Sequence, residues 1–136
     1  MDETLVRKVA AVMALVALSL AVASTLHLGG VVHGRGELYD AEDAGIAEAV
    51  IGLVLAAAAV AMVRAPARAR TVGLAATGFA ILGFGVGLTI TTQGGHAPDI
   101  AYHLVVLPVL LGTFVVLLRA PVTARLGRPP GVPRAR

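Results

Sequence analysis

The sequence predicts an all-α fold, an integral membrane four-helix bundle with both termini inside (N-in/C-in). Three observations predict it. Apolar runs at residues 9–26, 44–63, 72–90 and 100–118 are each about 18–20 residues long. That length matches the roughly 20 apolar residues that carry a helix across a hydrocarbon core about 30 Å thick. Of the 136 residues, 57% are hydrophobic and 14% charged, and mean hydropathy is +0.87, values typical of membrane chains. The third observation is where the basic residues fall. Arg7 and Lys8 precede the first run, Arg64, Arg68 and Arg70 separate the second from the third, and Arg119, Arg125, Arg128, Arg134 and Arg136 follow the fourth. The positive-inside bias makes these segments cytoplasmic. The other two connections then face outward, carrying His27, His33, Glu37, Asp40, Glu42, Asp43, His96, Asp99 and His103, with Arg35 the one basic residue among them.

Each element has its own signals. The first helix is expected at residues 6–28 and ends at Gly29-Gly30, a pair suited to a helix C-cap. Its basic start, apolar run and Ala21-Val22-Ala23 also fit a secretory signal whose cleavage would remove residues 1–23. The run is longer than a usual signal core, which favours a retained helix. The second helix, residues 43–63, stops at Arg64-Ala65-Pro66, because proline lacks the donor N–H and disfavours helix at the residue before it. The third, residues 71–92, ends at a second pair, Gly94-Gly95. The fourth, residues 99–118, stops at Arg119-Ala120-Pro121 and contains Pro108, which should kink it just inward of His103. The matched ends suggest a duplicated helical hairpin, and aligning the Arg-Ala-Pro stops sets Glu48 opposite His103. Residues 1–125 thus form one four-span domain. Residues 126–136 read as a disordered basic tail held near anionic headgroups.

Small residues predict packing. Gly45, Ala49, Gly52, Ala56 and Ala59 form a stripe on the second helix, and Ala76, Ala80, Gly83 and Gly87 form one on the third. Such stripes let backbones approach closely where lipid removes the hydrophobic drive. The two helices are expected to pack tightly, within the bundle or across a homo-oligomer.

Composition excludes several classes. Without cysteine there is no disulfide scaffold, thiolate metal site or covalent c-type haem. The high pI, about 10.2, follows from the inner loops and tail and implies no nucleic-acid partner. The expected partners are the lipid bilayer and another membrane protein or a second copy. Heavy use of alanine and arginine, with a single lysine, suggests a GC-rich bacterial genome and hence a multi-pass protein of the plasma (inner) membrane.

The chemistry-bearing residues gather at the outer side. Glu48 is expected about 7 Å inside the second helix, where a carboxylate costs a few kcal/mol unless paired and so faces the bundle interior. Asp99 and His103 lie at i and i+4, on one face of the fourth helix. Asp99 is placed to cap that helix. His27 ends the first helix, and Thr89, Thr92 and Gln93 end the third. Their depths match, so an outward-opening pocket can form. Imidazole and carboxylate without thiolate suit Zn²⁺, Cu²⁺, Fe²⁺ or Ni²⁺, and the metal ligands would be His27, Glu48, Asp99 and His103. The same groups could meet a haem or quinone, with His27, His103 and Gln93 as its contacts. No H-x-x-x-H or H-E-x-x-H spacing is present, and no catalytic triad or carboxylate pair identifies an enzyme. His33 and His96 read as solvated loop residues. The leading expectation is a metal- or cofactor-binding accessory subunit of a membrane assembly. A homo-oligomeric proton-coupled transporter or channel using Glu48, and a purely structural subunit, are the alternatives.

One stretch resembles a known family. Gly45-Ile46-Ala47-Glu48-Ala49-Val50-Ile51-Gly52-Leu53, followed by the basic turn at residues 64–70, is similar to the second helix of DoxX-like four-helix membrane proteins. The resemblance implies a compact bundle and association with membrane redox or thiol-stress systems.

Overall fold

Asp2 starts the first helix. Its carboxylate accepts the Leu5 N–H at 2.7 Å, satisfying one of the four donors that every helix start leaves open. In the computed structural model, which describes residues 1–33 and 40–121, α1 then runs Glu3–Leu28. Asp40 caps α2, Ala41–Arg64, by accepting from Glu42 N–H at 2.8 Å. Glu42 and Asp43 in the first turn complement its dipole. Pro66 opens a short 3-10 turn, Pro66–Arg68, leading into α3, Ala69–Thr91, and the last helix, α4, spans Ala97–Arg119. The helix continues unbroken through Pro108. Every helix extends beyond its apolar run because capping residues and first-turn polar groups belong to it too. All four are long and apolar enough to cross a membrane. The expected basic tail at residues 126–136 and the connection at residues 34–39 lie outside the described residues.

The core is a set of stripes built mostly of three- and four-residue steps, the period of a helix face. On α1 the buried positions are Val6, Val9, Ala10, Met13, Val16, Ala17, Leu20, Ser24 and His27. On α4 they are Asp99, His103, Val106, Leu110, Thr113 and Leu117. On α2, Glu48 shares its buried face with Ile51, Leu55 and Met62. Each stripe is apolar through most of its length and turns polar at one end of the bundle. The opposite face of the same helices is apolar and exposed: Leu53 is 71% and Leu82 72% accessible. Polarity is thus inverted relative to a soluble bundle.

The apolar end is closed by backbone chemistry. Arg70 of α3 donates from Nε to the Leu117 carbonyl and from Nη2 to the Leu118 carbonyl, each at 3.0 Å. These carbonyls belong to the last turn of α4 and have no partner within the helix. Arg70 therefore serves as a C-cap supplied from a neighbouring helix.

The small-residue stripe of α2 meets α1 rather than α3, and α1 and α2 are the most closely apposed pair. A Cβ on Gly52 would come within 3.3 Å of the Leu20 Cβ and 3.4 Å of the Ala17 carbonyl. Three glycines of α3 each serve a different neighbour: Gly73 faces Leu117 and Met62, Gly83 faces Ile51, and Gly87 faces the His103 ring.

Candidate functional site

Gly45 sets the site by letting α1 end directly against α2. A Cβ there would fall 2.8 Å from Leu28 Cγ and 3.1 Å from His27 Cβ. Ser24 fixes the same junction, donating its hydroxyl to the Gly45 carbonyl at 2.7 Å. His27, in the last turn of α1, is thereby pressed onto Glu48, one turn further along α2. The His27 Nδ1 to Glu48 Oε2 distance is 2.7 Å. Both side chains are buried, with His27 5% and Glu48 7% accessible. Because α2 starts at Ala41, Glu48 lies about 10 Å into its helix, deeper than the sequence implied.

Asp99 stands on the other side of the same ring. Its Oδ2 is 3.8 Å from His27 Nε2, and its Oδ1 is 3.6 Å from His103 Nδ1. The imidazole of His27 therefore sits between two carboxylates, with one nitrogen facing each. The Nδ1 side of the ring is thus hydrogen-bonded to Glu48 and the Nε2 side faces Asp99. One ligand atom each from His27, Glu48 and Asp99 lies within 4.8 Å of the others.

His103 belongs to the neighbourhood but not to that trio. Its Nδ1–H donates to the Asp99 main-chain carbonyl at 2.9 Å, which turns Nε2 toward α3, where a Cβ on Gly87 would lie 2.7 Å away. Phe84 and Tyr102 hold the ring, with centroids 5.2 and 6.2 Å from it. Tyr102 in turn bonds Ser19 at 2.8 Å. Since the Ser19 hydroxyl donates to the Val16 carbonyl at 2.8 Å, the Tyr102 hydroxyl is the donor in that pair.

Of the sequence-predicted residues, His27, Glu48 and Asp99 converge, and His103 is attached to them through Asp99. Gln93 is not brought in. Its amide donates to the Thr89 carbonyl at 2.8 Å in an exposed position at the end of α3, so it closes its own helix. Thr89 and Thr92 likewise bond carbonyls of α3.

Two clefts flank the trio. One of about 560 Å³ opens between α2 and α3 and is lined by Glu48, Asp99 and His103, with Phe79, Leu82 and Ile90 among its apolar walls. The other, of about 820 Å³, opens between α1 and α4 and is lined by His27, Asp99 and Tyr102, and also by His33 and His96. The last two were expected to be solvated loop residues, and no ligand-spacing motif pointed to them. The available signal was their closeness to helix ends: His33 follows the Gly29-Gly30 stop, and His96 is the N-cap of α4.

Comparison with known proteins finds no matching family model, no matching curated protein and no matching solved structure.

Proposed function

We propose that this chain is an integral membrane protein of the bacterial plasma membrane that binds one divalent transition-metal ion at the outer end of its bundle. It would act as a binding or accessory subunit. Membrane residence is supported by four apolar helices with exposed Leu and Val faces, a surface that water would not tolerate on a monomer. Cytoplasmic ends are supported by the arginine distribution, and the resemblance of residues 45–53 to DoxX-like proteins fits the same bundle.

One observation carries the metal reading: a buried imidazole held at Nδ1 by Glu48 while Nε2 faces Asp99 across 3.8 Å. A gap of that size is too wide for a hydrogen bond. It is near the spacing of two donors on one ion, about 3.4 Å for tetrahedral ligands at 2.1 Å. A carboxylate on the far nitrogen of a ligating histidine fixes its tautomer and raises its basicity. His27 and Asp99 then act as ligands and Glu48 as the positioning residue. The test is metal content of the detergent-purified protein after equilibration with Zn²⁺ or Cu²⁺ and dialysis. One ion per chain is expected, lost in Asp99→Asn and on chelation. A chain that retains no metal overturns the reading.

A second reading has one observation behind it. Glu48 lines one cleft and His27 the other, so their hydrogen bond joins the two sides of the bundle. Such a pair suits proton-coupled transport. Proton flux in liposomes that is abolished in Glu48→Gln, with no metal bound, would favour it.

A further inference from the structure

The α2/α3 cleft is bordered by polar atoms that the fold itself leaves open. His103 is 8% accessible, and its Nδ1–H bonds the Asp99 carbonyl. A neutral ring that donates at Nδ1 carries its acceptor lone pair at Nε2. Among the described residues Nε2 makes no hydrogen bond, and neither does the hydroxyl of Thr91, which is 3% accessible. No fully buried side-chain nitrogen or oxygen among those residues lacks a partner. Both atoms therefore reach open space, and the cleft that His103 and Thr91 line provides it. The same holds for one oxygen of Glu48: Oε2 bonds His27, and Oε1 is left to the cleft, which Glu48 also lines. Nε2 is seated over Gly87, and Thr91 follows one turn later on the same face of α3.

Away from this polar end the walls are apolar and open sideways. Phe79, Leu82 and Val86 line the cleft and are among the exposed large side chains of α3, so the cleft is entered from the bilayer. Its volume of about 560 Å³ lies within the range of small-molecule sites. From Thr91 to Phe79 the helix rises about 18 Å, room for an extended dodecyl chain. Charge selects the head group. Asp40, Asp43, Glu48 and Asp99 line the cleft, and no Lys or Arg does. An anionic head would meet like charge. A primary ammonium brings opposite charge and three N–H donors, and the open atoms of Glu48, His103 and Thr91 can all accept. We propose that the α2/α3 cleft binds a single-chain lipophilic amine drawn from the bilayer. Its ammonium lies at the end where Glu48, His103 and Thr91 face the cleft, and its chain follows Phe79, Leu82 and Val86. This site is on the other side of the bundle from the α1/α4 cleft and requires no metal.

The experiment is binding of radiolabelled dodecylamine to the immobilised full chain in a non-ionic detergent at neutral pH, with chelator present. Unlabelled dodecylamine, dodecanol and dodecanoate compete; they share one chain length and differ in the head group. Dodecylamine should displace the label at a concentration about tenfold or more below that of dodecanol, the factor expected of a charge-assisted hydrogen bond, and dodecanoate should displace it least. In ¹⁵N nuclear magnetic resonance of the histidine-labelled chain, saturating dodecylamine should shift Nε2 of His103 while Nδ1 stays protonated. Glu48→Gln and Thr91→Val keep side-chain size, and each should weaken the amine while helix content by circular dichroism stays that of the parent. The head-group comparison is made on the parent protein and stands even where a variant fails to fold. Equal displacement by all three competitors would show a groove that reads only the chain, and the proposal would fall. It would fall equally if the amine bound with the His103 resonances unmoved, or if both folded variants bound it as the parent does.

Discussion

The buried His27–Glu48 pair concentrates the energetic risk of the fold in two side chains. Each is stabilised by the other, at 2.7 Å, in a place where a lone charge would have no water. Removing one partner from such a pair costs about 3–5 kcal/mol, whereas replacing both with apolar groups of similar volume is often close to neutral. Glu48→Leu should therefore lower the detergent melting temperature markedly, and His27→Leu/Glu48→Leu should recover most of that loss while binding no metal. A double variant no more stable than Glu48→Leu would show that the pair does not interact as described. The sequence made Glu48 legible, because an acid inside an apolar run has to find a partner. It pointed to His27 and His103 as partners without deciding between them. His27 and Glu48 are 21 positions apart, and the close contact at Gly45 and the Ser24 hydrogen bond decide that their side chains meet.

At the scale of helices, small residues do more than shorten distances. Gly87 provides the space in which the His103 ring lies against α3, whereas Gly85, two residues earlier, has no heavy atom within 4 Å of its Cβ position. Gly87→Ala should displace a ring pinned by its bond to the Asp99 carbonyl and lower the melting temperature. Gly85→Ala should be neutral or raise it slightly, because alanine favours helix by roughly 1 kcal/mol over glycine. Equal melting of the two variants would mean that His103 is not seated on Gly87. Periodicity identified the stripes of α2 and α3 as packing faces and the two helices do meet, with Gly83 against Ile51, but the glycines of the α2 stripe lie against α1. A stripe specifies a face, and nothing in one helix specifies which other helix covers it. Arg70 shows the same limit. Its charge was readable as part of a basic loop, while its cap on α4 spans 47 positions.

At the scale of the molecule, the stripes of α1, α2 and α4, apolar for most of their length and polar at one end, create a directional interior. With the arginines clustered at the opposite end, that polarity sets the proposed orientation across the membrane. Reporter fusions after Arg70 should read cytoplasmic, and fusions after His33 or His96 should read external. An external reading at Arg70 would invert the bundle and put the histidines in the cytoplasm. The four long apolar helices were the most legible part of the fold, because run length is summed over many residues and survives local errors. The site was legible in part: depth along each helix brought His27, Glu48 and Asp99 to one level. That His33 and His96 both border the α1/α4 cleft was not legible, since it depends on a left-handed glycine turn and a helix cap.

The assignment of His27 as a ligand through Nε2, with Glu48 holding Nδ1, is tested most directly by ¹⁵N nuclear magnetic resonance of the histidine-labelled full chain in detergent. Zn²⁺ should shift the Nε2 signal of His27 to that of a metal-bound nitrogen while Nδ1 remains protonated, and Glu48→Gln should weaken the Zn²⁺ dependence of that shift. Both ring nitrogens of His27 unmoved at saturating Zn²⁺, or Nδ1 rather than Nε2 taking the metal, would contradict it.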